Sequence, residues 1–142
     1  IISSFKEISK KEFVFNFDQD SNPKKISKSI EIVYGLRNFI GNANKFAKNS
    51  IFINLKSDSE FTELTVEDDG NGYPRDIISK IGEPYLKSNY SKDKSKEGLG
   101  LGLFIGKTLL EKNFASVNCR NSKTRNGAEV VIRWKNKELF NI

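Results

Sequence analysis

The stretch Glu97–Leu110 (EGLGLGLFIGKTLL) constrains the fold more than any other part of the sequence. Gly98, Gly100 and Gly102 stand at alternate positions and lead without a break into an apolar run that predicts a helix. Glycine lets a backbone approach a ligand closely, and a helix start adds unpaired N–H groups and the positive end of its dipole. These features together predict a phosphate-binding turn at the start of a helix.

Length and composition indicate one ordinary globular domain. Of the 142 residues, 37% are hydrophobic and 30% charged, a balance that suits a single core. The net charge of +6 is spread over many lysines, with no basic helix or basic–aromatic interleaving to favour nucleic acid. No apolar run approaches the roughly 20 residues of a membrane span, so we expect no membrane contact by this domain. The chain contains no histidine, which excludes a histidine phosphoacceptor within it.

Hydrophobic periodicity predicts elements in an order typical of a layered α/β fold. The segment Ile1–Lys11 lacks clear periodicity, and alternation at Phe13–Phe17 predicts a strand with one buried face. Further predicted elements are a helix from Ser27 to about Ala47, strands Ile51–Lys56 and Phe61–Asp68, a short helix Arg75–Ile81, the glycine-led helix ending near Asn113, strands Ala115–Arg120 and Ala128–Trp134, and a tail Lys135–Ile142. This order predicts an α/β (α+β) two-layer sandwich, with a mixed, mostly antiparallel sheet and about three helices on one face.

The long predicted helix carries Asn38, Asn42 and Lys45 on one stripe beside its apolar face. Amide oxygens can complete the shell of a phosphate-bound Mg²⁺, and a lysine supplies positive charge. A solvated polar face in a sequence rich in asparagine and lysine explains the pattern equally well. This helix alone does not decide between the two.

Asp68 points to the same side of its predicted strand as Leu64 and Val66, which is the core side. A buried carboxylate needs hydrogen-bond donors, and the glycine-rich turn Asp69–Gly72 leaves space over the strand end. One interpretation is a carboxylate that accepts from the exocyclic amine of adenine. The other is that Asp68 caps its own turn or the helix after Pro74, which the D-x-G-x-G pattern alone modestly favours.

The lysine-rich segment Lys87–Glu97 has almost no apolar residues and is expected to be a mobile loop. Such a segment is most often a solvated linker. Its position directly before the glycine stretch favours a lid whose lysines reach β- and γ-phosphates.

Four motifs in this order resemble the ATP-binding catalytic domain of sensor histidine kinases, within the GHKL group that includes gyrase and MutL ATPases. They are N-x-x-x-N-A-x-K-F at Asn38–Phe46, D-x-G-x-G at Asp68–Gly72, a G-x-P-Y-like element at Gly82–Tyr85 and G-x-G-x-G at Gly98–Gly102. The resemblance covers about Phe13 to Trp134 and is closest to the RegB/PrrB type. It implies the Bergerat ATP-binding fold, with ATP and Mg²⁺ as cofactors.

At the phosphates, the resemblance implies that Asn42 ligates Mg²⁺, with Asn38 and Lys45 beside it and Phe46 near the nucleotide. Lys45 and Lys87 would assist phosphate binding, and no residue is assigned as a certain catalyst. The remaining implied phosphate-site residues are Leu86 in the lid, the glycines Gly98, Gly100 and Gly102, and the leucines Leu99, Leu101 and Leu103.

At the base, the resemblance implies that Asp68 accepts from the adenine amino group, while Gly70 and Gly72 open the pocket. Ile77 and Tyr85 would wall the base or anchor the lid. Gly127 occupies the place of a further glycine motif near the last strands.

The sequence also departs from the family. Gly41 stands where the family often has an acidic residue, and in ATPase relatives an acid on this helix activates water. Hydrolysis is therefore expected to be poor, whereas transfer to a histidine tolerates the loss. The lid is short for the family, and the single cysteine, Cys119, lies in a predicted strand, where we expect a buried apolar residue and not a redox sensor.

The resulting hypothesis assigns residues 1–12 to a segment arriving from an upstream dimerisation and phosphoacceptor domain, and 13–142 to the ATP-binding catalytic domain. The expected partners are that domain and, through the full-length homodimeric kinase, a response regulator. The expected location is the cytoplasmic side of a bacterial inner-membrane sensor. The alternatives are a nucleotide-binding regulatory module or an ATPase without kinase activity; nucleic-acid binding has only the positive charge in its favour.

Overall fold

The computed structural model describes residues 1–17, 29–78 and 99–139 of the chain. The helices there are α1 (Ile2–Ile8), α2 (Ile30–Phe46), α3 (Arg75–Ile78), α4 (Leu99–Lys112) and α5 (Asn136–Leu139). The strands are β1 (Glu12–Phe17), β2 (Ser50–Ser57), β3 (Phe61–Asp68), β4 (Ser116–Asn121) and β5 (Ala128–Lys135). Within these ranges no helix is long and apolar enough to cross a membrane.

The described strands form one sheet in the order β1-β2-β3-β5-β4. β1 pairs with β2 in parallel, and every other neighbouring pair is antiparallel. Alternate residues of the central strands, among them Ile53, Val66 and Ile132, are buried on one face in the core shared with α2 and α4. The predicted fold class, a mixed and mostly antiparallel sheet layered with helices, is confirmed.

Helices α2 and α4 lie antiparallel and in close contact, because glycines on both remove side chains from their interface. A Cβ on Gly35 would lie 2.7 Å from Leu110 Cγ, and a Cβ on Gly106 would lie 2.8 Å from Phe39 Cε2. Both distances are shorter than side chains tolerate, so glycine sets the spacing of the helices. The start of α4 is thereby brought beside the middle of α2.

Two segments that the sequence predicted as irregular are helical. Ile2–Ile8 forms α1, whose Phe5 ring stacks against Phe13 with ring centroids 6.3 Å apart. Asn136–Leu139 forms α5, and Leu139 is buried in the core. Helices this short gain their stability from tertiary packing, which local periodicity does not reveal.

Strand β1 is less buried than its alternating pattern predicted. Phe13, Phe15 and Phe17 face the same side as the core residues of β2, and Phe13 is buried. Phe15 and Phe17, however, are 45% and 44% exposed. Among the described strands, β1 lies at the edge of the sheet and pairs only with β2, which agrees with the partial exposure of its apolar face.

Candidate functional site

Asp68 ends β3 with only 3% of its surface exposed. Its Oδ1 accepts hydrogen bonds from the N–H of Gly70 at 2.8 Å and of Ala128 at 3.3 Å. Burial raises the pKa of Asp68 above its ordinary value, although these two hydrogen bonds act in the opposite direction. The predicted core-facing carboxylate is confirmed, and so is its part in its own turn. The two interpretations are compatible, because a carboxylate that accepts from the N–H groups of its own turn has further acceptor positions for a ligand.

Glycines allow the backbone to close tightly around Asp68. A Cβ on Gly70 would lie 2.2 Å from the Phe46 carbonyl oxygen, and a Cβ on Gly127 would lie 1.8 Å from the Asp68 carbonyl oxygen. Gly72 has φ +77°, a left-handed conformation that side chains rarely adopt. The Asp68 turn is therefore packed between the C-terminal end of α2 and the β4–β5 hairpin.

Asn121, at the end of β4, holds this turn and was missed by the sequence reasoning. Its Oδ1 accepts from the Tyr73 N–H at 2.6 Å, and its Nδ2 donates to the Tyr73 carbonyl at 3.0 Å. The two residues lie 48 positions apart in the chain, so no local pattern marks the pair. The Asn121 amide therefore connects the β4–β5 hairpin to the turn through two hydrogen bonds.

Asp69, also missed, faces the segment that follows α2. Its carboxylate accepts from the N–H groups of Lys48, Asn49 and Ser50 at 2.8, 3.0 and 3.2 Å. Burial raises the pKa of Asp69, but the hydrogen bonds together outweigh it, and the pKa lies below its ordinary value. The pKa values of the adjacent Asp68 and Asp69 are thus shifted in opposite directions.

The asparagine stripe of α2 lies as predicted. Asn38 and Asn42 are half-buried and Lys45 is exposed, with its Nζ 5.3 Å from the centroid of the Phe46 ring. Nδ2 of Asn38 donates to the Tyr34 carbonyl at 2.8 Å, which directs its Oδ1 away from that bond. The Asn38 amide oxygen lies next to the partner helix α4.

Helix α4 begins at Leu99, so Gly100 and Gly102 lie within its first turns. This corrects the expectation of a separate glycine turn before the helix. A Cβ on Gly102 would lie 3.7 Å from Asn38 Oδ1, which places the helix start beside the asparagine stripe. Leu103 is fully buried, as expected for a leucine packed behind the glycines. The N–H groups at a helix start and amide oxygens at one place suit an anion with a bound cation.

Part of the predicted site lies outside the described residues, including the lysine-rich lid. The residues concerned are Tyr85, Leu86, Lys87 and Gly98, together with the side chains of Ile77, Leu99 and Leu101.

Among the described residues, no group of three or more histidine, cysteine, aspartate or glutamate side chains is arranged to hold a metal ion. A divalent cation at this place would be held by oxygens of Asn38 or Asn42 and of a bound phosphate. Mg²⁺ accepts such hard oxygen ligands, so the donor set fits it.

Cys119 is half-buried and packs against the core. Burial raises the pKa of its thiol to about 11, although a hydrogen bond with Tyr73 acts in the opposite direction. The thiol is therefore protonated at neutral pH and is a poor nucleophile. This agrees with the expected packing role.

Comparison with known proteins gives consistent matches. The family described as histidine kinase-, DNA gyrase B-, and HSP90-like ATPase matches residues 27–138. Sensor histidine kinase RegB of Cereibacter sphaeroides is 38% identical over 97 residues, which are 65% of this chain and 21% of that protein. The putative NtrY-like sensor histidine kinase of Rickettsia bellii is 30% identical over 106 residues, covering 72% and 16%. The chain spans about a fifth of the length of these relatives.

Solved structures share the fold. The mycobacterial sensor histidine kinase MprB has a TM-score of 0.71 at 20% identity, covering 94% of this chain and 87% of that chain. The catalytic domain of histidine kinase ThkA has a TM-score of 0.72 at 20% identity, covering 94% and 85%. Full-length ShkA in complex with AMPPNP has a TM-score of 0.66 at 22% identity, covering 87% and 25%.

Proposed function

Because this chain belongs to the family of histidine kinase-, DNA gyrase B-, and HSP90-like ATPases, we propose that it binds Mg·ATP as the catalytic domain of a sensor histidine kinase. The reaction would be transfer of the γ-phosphoryl group to a histidine. The observation that carries the proposal is a buried carboxylate, Asp68, in a glycine turn packed against the end of the asparagine helix. The base and the phosphates of one nucleotide can be recognised from these two neighbouring elements.

On the base side, Asp68 accepts from the exocyclic amine of adenine, directly or through water. The amine offers a donor to a carboxylate that burial leaves poorly solvated. Gly70 and Gly72 are assigned to the adenine pocket, where they let the backbone close around Asp68. Ile77 and Tyr85 are assigned to the wall of the base or the anchor of the lid.

On the phosphate side, Asn42 ligates Mg²⁺, and Asn38 and Lys45 lie beside the phosphates. Mg²⁺ held there would neutralise phosphate charge. Gly100 and Gly102 bring the start of α4 close to the phosphates. Gly98 and the lid residue Lys87 are assigned to the phosphates from the motifs alone. Catalysis by such a site is positioning and charge neutralisation.

The acceptor must come from outside this chain, since the chain contains no histidine. We assign it to a dimerisation domain upstream, with residues 1–12 as the connection and 13–142 as the catalytic domain. A homodimeric, membrane-anchored bacterial kinase that phosphorylates a response regulator is the corresponding whole protein. Gly41 supplies no acid to activate water, so hydrolysis by this domain alone is expected to be slow.

The proposal is tested by titrating the chain with ATP and Mg²⁺ and repeating the titration with Asp68→Ala. Equal affinity of the two proteins would remove Asp68 from the site. Incubation with labelled ATP and the dimerisation domain then tests transfer, with label on histidine as the expected result. Binding without transfer indicates the regulatory module, and steady hydrolysis that Asp68→Asn abolishes indicates an ATPase.

A further inference from the structure

Lys11, outside the four motifs, lies at the C-terminal end of α2. Its Nζ donates to the carbonyl of Asn44 and, at 3.3 Å, to the carbonyl of Lys45. These carbonyls belong to the last turn of α2, where no following helical turn can supply their N–H partners. A cation at this end also interacts favourably with the helix dipole.

The N–H groups that would have continued the helix are bound elsewhere. Those of Lys48, Asn49 and Ser50 donate to the Asp69 carboxylate. One cation binds carbonyls and one anion binds N–H groups, so α2 ends at Phe46 with these backbone groups paired. Lys11 and Asp69 together replace the next turn of the helix.

The segment that precedes Lys11 is fixed to the same helix. Ser9 Oγ donates to Asn44 Oδ1 at 2.6 Å, and a Cβ on Gly41 would lie 3.7 Å from Phe5 Cζ. A methyl group at position 41 would make ordinary contact with that ring, whereas a longer side chain would displace it. Gly41 therefore makes room for α1, which holds Lys11 in place.

We infer that Lys11 is a positioning residue for the phosphate end of the nucleotide site and acts through the last turn of α2. This rests on the proposed function, which assigns Asn42 and Lys45 to Mg²⁺ and phosphate. Lys45 lies in the turn whose carbonyls Lys11 binds, and Asn42 lies one turn earlier. Asp68 is held by the N–H groups of Gly70 and Ala128, and the charge of Lys11 has only a smaller influence, which lowers the pKa of Asp68.

The test is Lys11→Met, which keeps the aliphatic stem and removes the charge and the donors. The dissociation constant of Mg·ATP is expected to rise about two- to tenfold, from the usual strength of a cation at a helix end. The dissociation constant of adenosine should rise less than that of Mg·ATP, because the base is recognised at Asp68, which Lys11 influences only weakly through its charge. Lys11→Arg should restore ATP affinity. Lys10→Met, at the neighbouring exposed lysine, is the matched control and should change neither constant.

Unchanged ATP affinity in Lys11→Met overturns the inference, and so does an equal loss of ATP and adenosine affinity, which would mean that Lys11 only supports the fold. If Lys11→Met does not fold, the wild-type protein provides the second measurement. The ¹⁵Nζ resonance of Lys11 should shift on addition of Mg·ATP and stay in place with adenosine; no shift with either ligand overturns the inference. A wild-type chain that binds no Mg·ATP at all contradicts the proposed function instead.

Discussion

The aspartates at the two ends of strand β3 have pKa values that are shifted in opposite directions. Asp58, just before the strand, is exposed and accepts from the N–H groups of Phe61 and Glu60 at 2.7 and 2.8 Å. These hydrogen bonds lower the pKa of Asp58, whereas burial raises the pKa of Asp68 at the other end. One carboxylate closes a hairpin and stabilises it. The other is kept where its charge is unfavourable, which is expected where a ligand is to pair with it.

The surroundings of the two ends differ in the same way. At the Asp58 end, polar side chains bond to one another: Asn136 Nδ2 donates to the Asp58 carbonyl, and Thr62 Oγ1 donates to Asn136 Oδ1. At the Asp68 end, glycines bring backbone against backbone, with no room for a side chain at Gly70 or Gly127. Polar side chains complete the first end, and close backbone packing at glycines completes the second.

Gly127→Ala should disrupt the Asp68 end most strongly. The new Cβ would lie 1.8 Å from the Asp68 carbonyl oxygen, so the backbone must move. We expect a loss of about 3 kcal/mol in the free energy of unfolding, measured by urea denaturation. Gly102→Ala is the control, since its Cβ would lie 3.7 Å from its nearest neighbour and should not destabilise the fold. Equal stability of Gly127→Ala and wild type would contradict this packing.

Asp68→Asn should weaken Mg·ATP binding about 10- to 100-fold, the usual range for a hydrogen bond to a charged group. Stability at pH 7 should be unchanged or higher. The folded-state pKa of Asp68 is raised, so its ionisation opposes folding as pH rises above the ordinary value of 3.8. Calorimetric titration and thermal melts measure the two effects. If Asp68→Asn melted at a lower temperature than wild type and bound Mg·ATP normally, Asp68 would stabilise the fold as Asp58 does, and the contrast between the two ends would be wrong.

Asn121→Ala should have a smaller effect at the same end. It removes two hydrogen bonds to the Tyr73 backbone, so we expect about 1–2 kcal/mol of lost stability. Since the Asp68 turn is loosened, affinity for ATP and for adenosine should fall by the same factor. Asn118→Ala, at an exposed position of the same strand, should leave both affinities unchanged. A loss confined to ATP would place Asn121 on the phosphate side.

Asp58→Asn should have the smallest effect and leave ATP affinity at pH 7 unchanged. Because the folded-state pKa of Asp58 lies below 3.8, its contribution is present above that value and is lost as pH falls through the lowered pKa. Melting temperatures between pH 7 and pH 2 should therefore fall less steeply for Asp58→Asn than for wild type. The melting temperature of Asp69→Asn should follow the same pH trend, since the pKa of Asp69 is also lowered.

The sequence by itself determined the elements that repeat with a local period. Alternation in β3 placed Asp68 on the core side, and helical spacing placed Asn38, Asn42 and Lys45 on one stripe. The glycine stretch and the apolar run after it predicted helix α4, but they did not predict that the helix begins at Leu99. These predictions succeeded because each depends on the geometry of a single strand or helix. The sheet, with the helices layered on it, followed from the order of these elements.

Only the tertiary structure decided which residues hold the site together. Asn121 meets Tyr73 across 48 positions, and Lys11 meets the end of α2 across more than 30. The helical conformation of Ile2–Ile8 likewise depends on packing against distant residues. Such contacts pair one side chain with one backbone group, and that pairing has no period along the chain. The sequence therefore indicated the candidate site residues, and the fold decided which groups keep them in place.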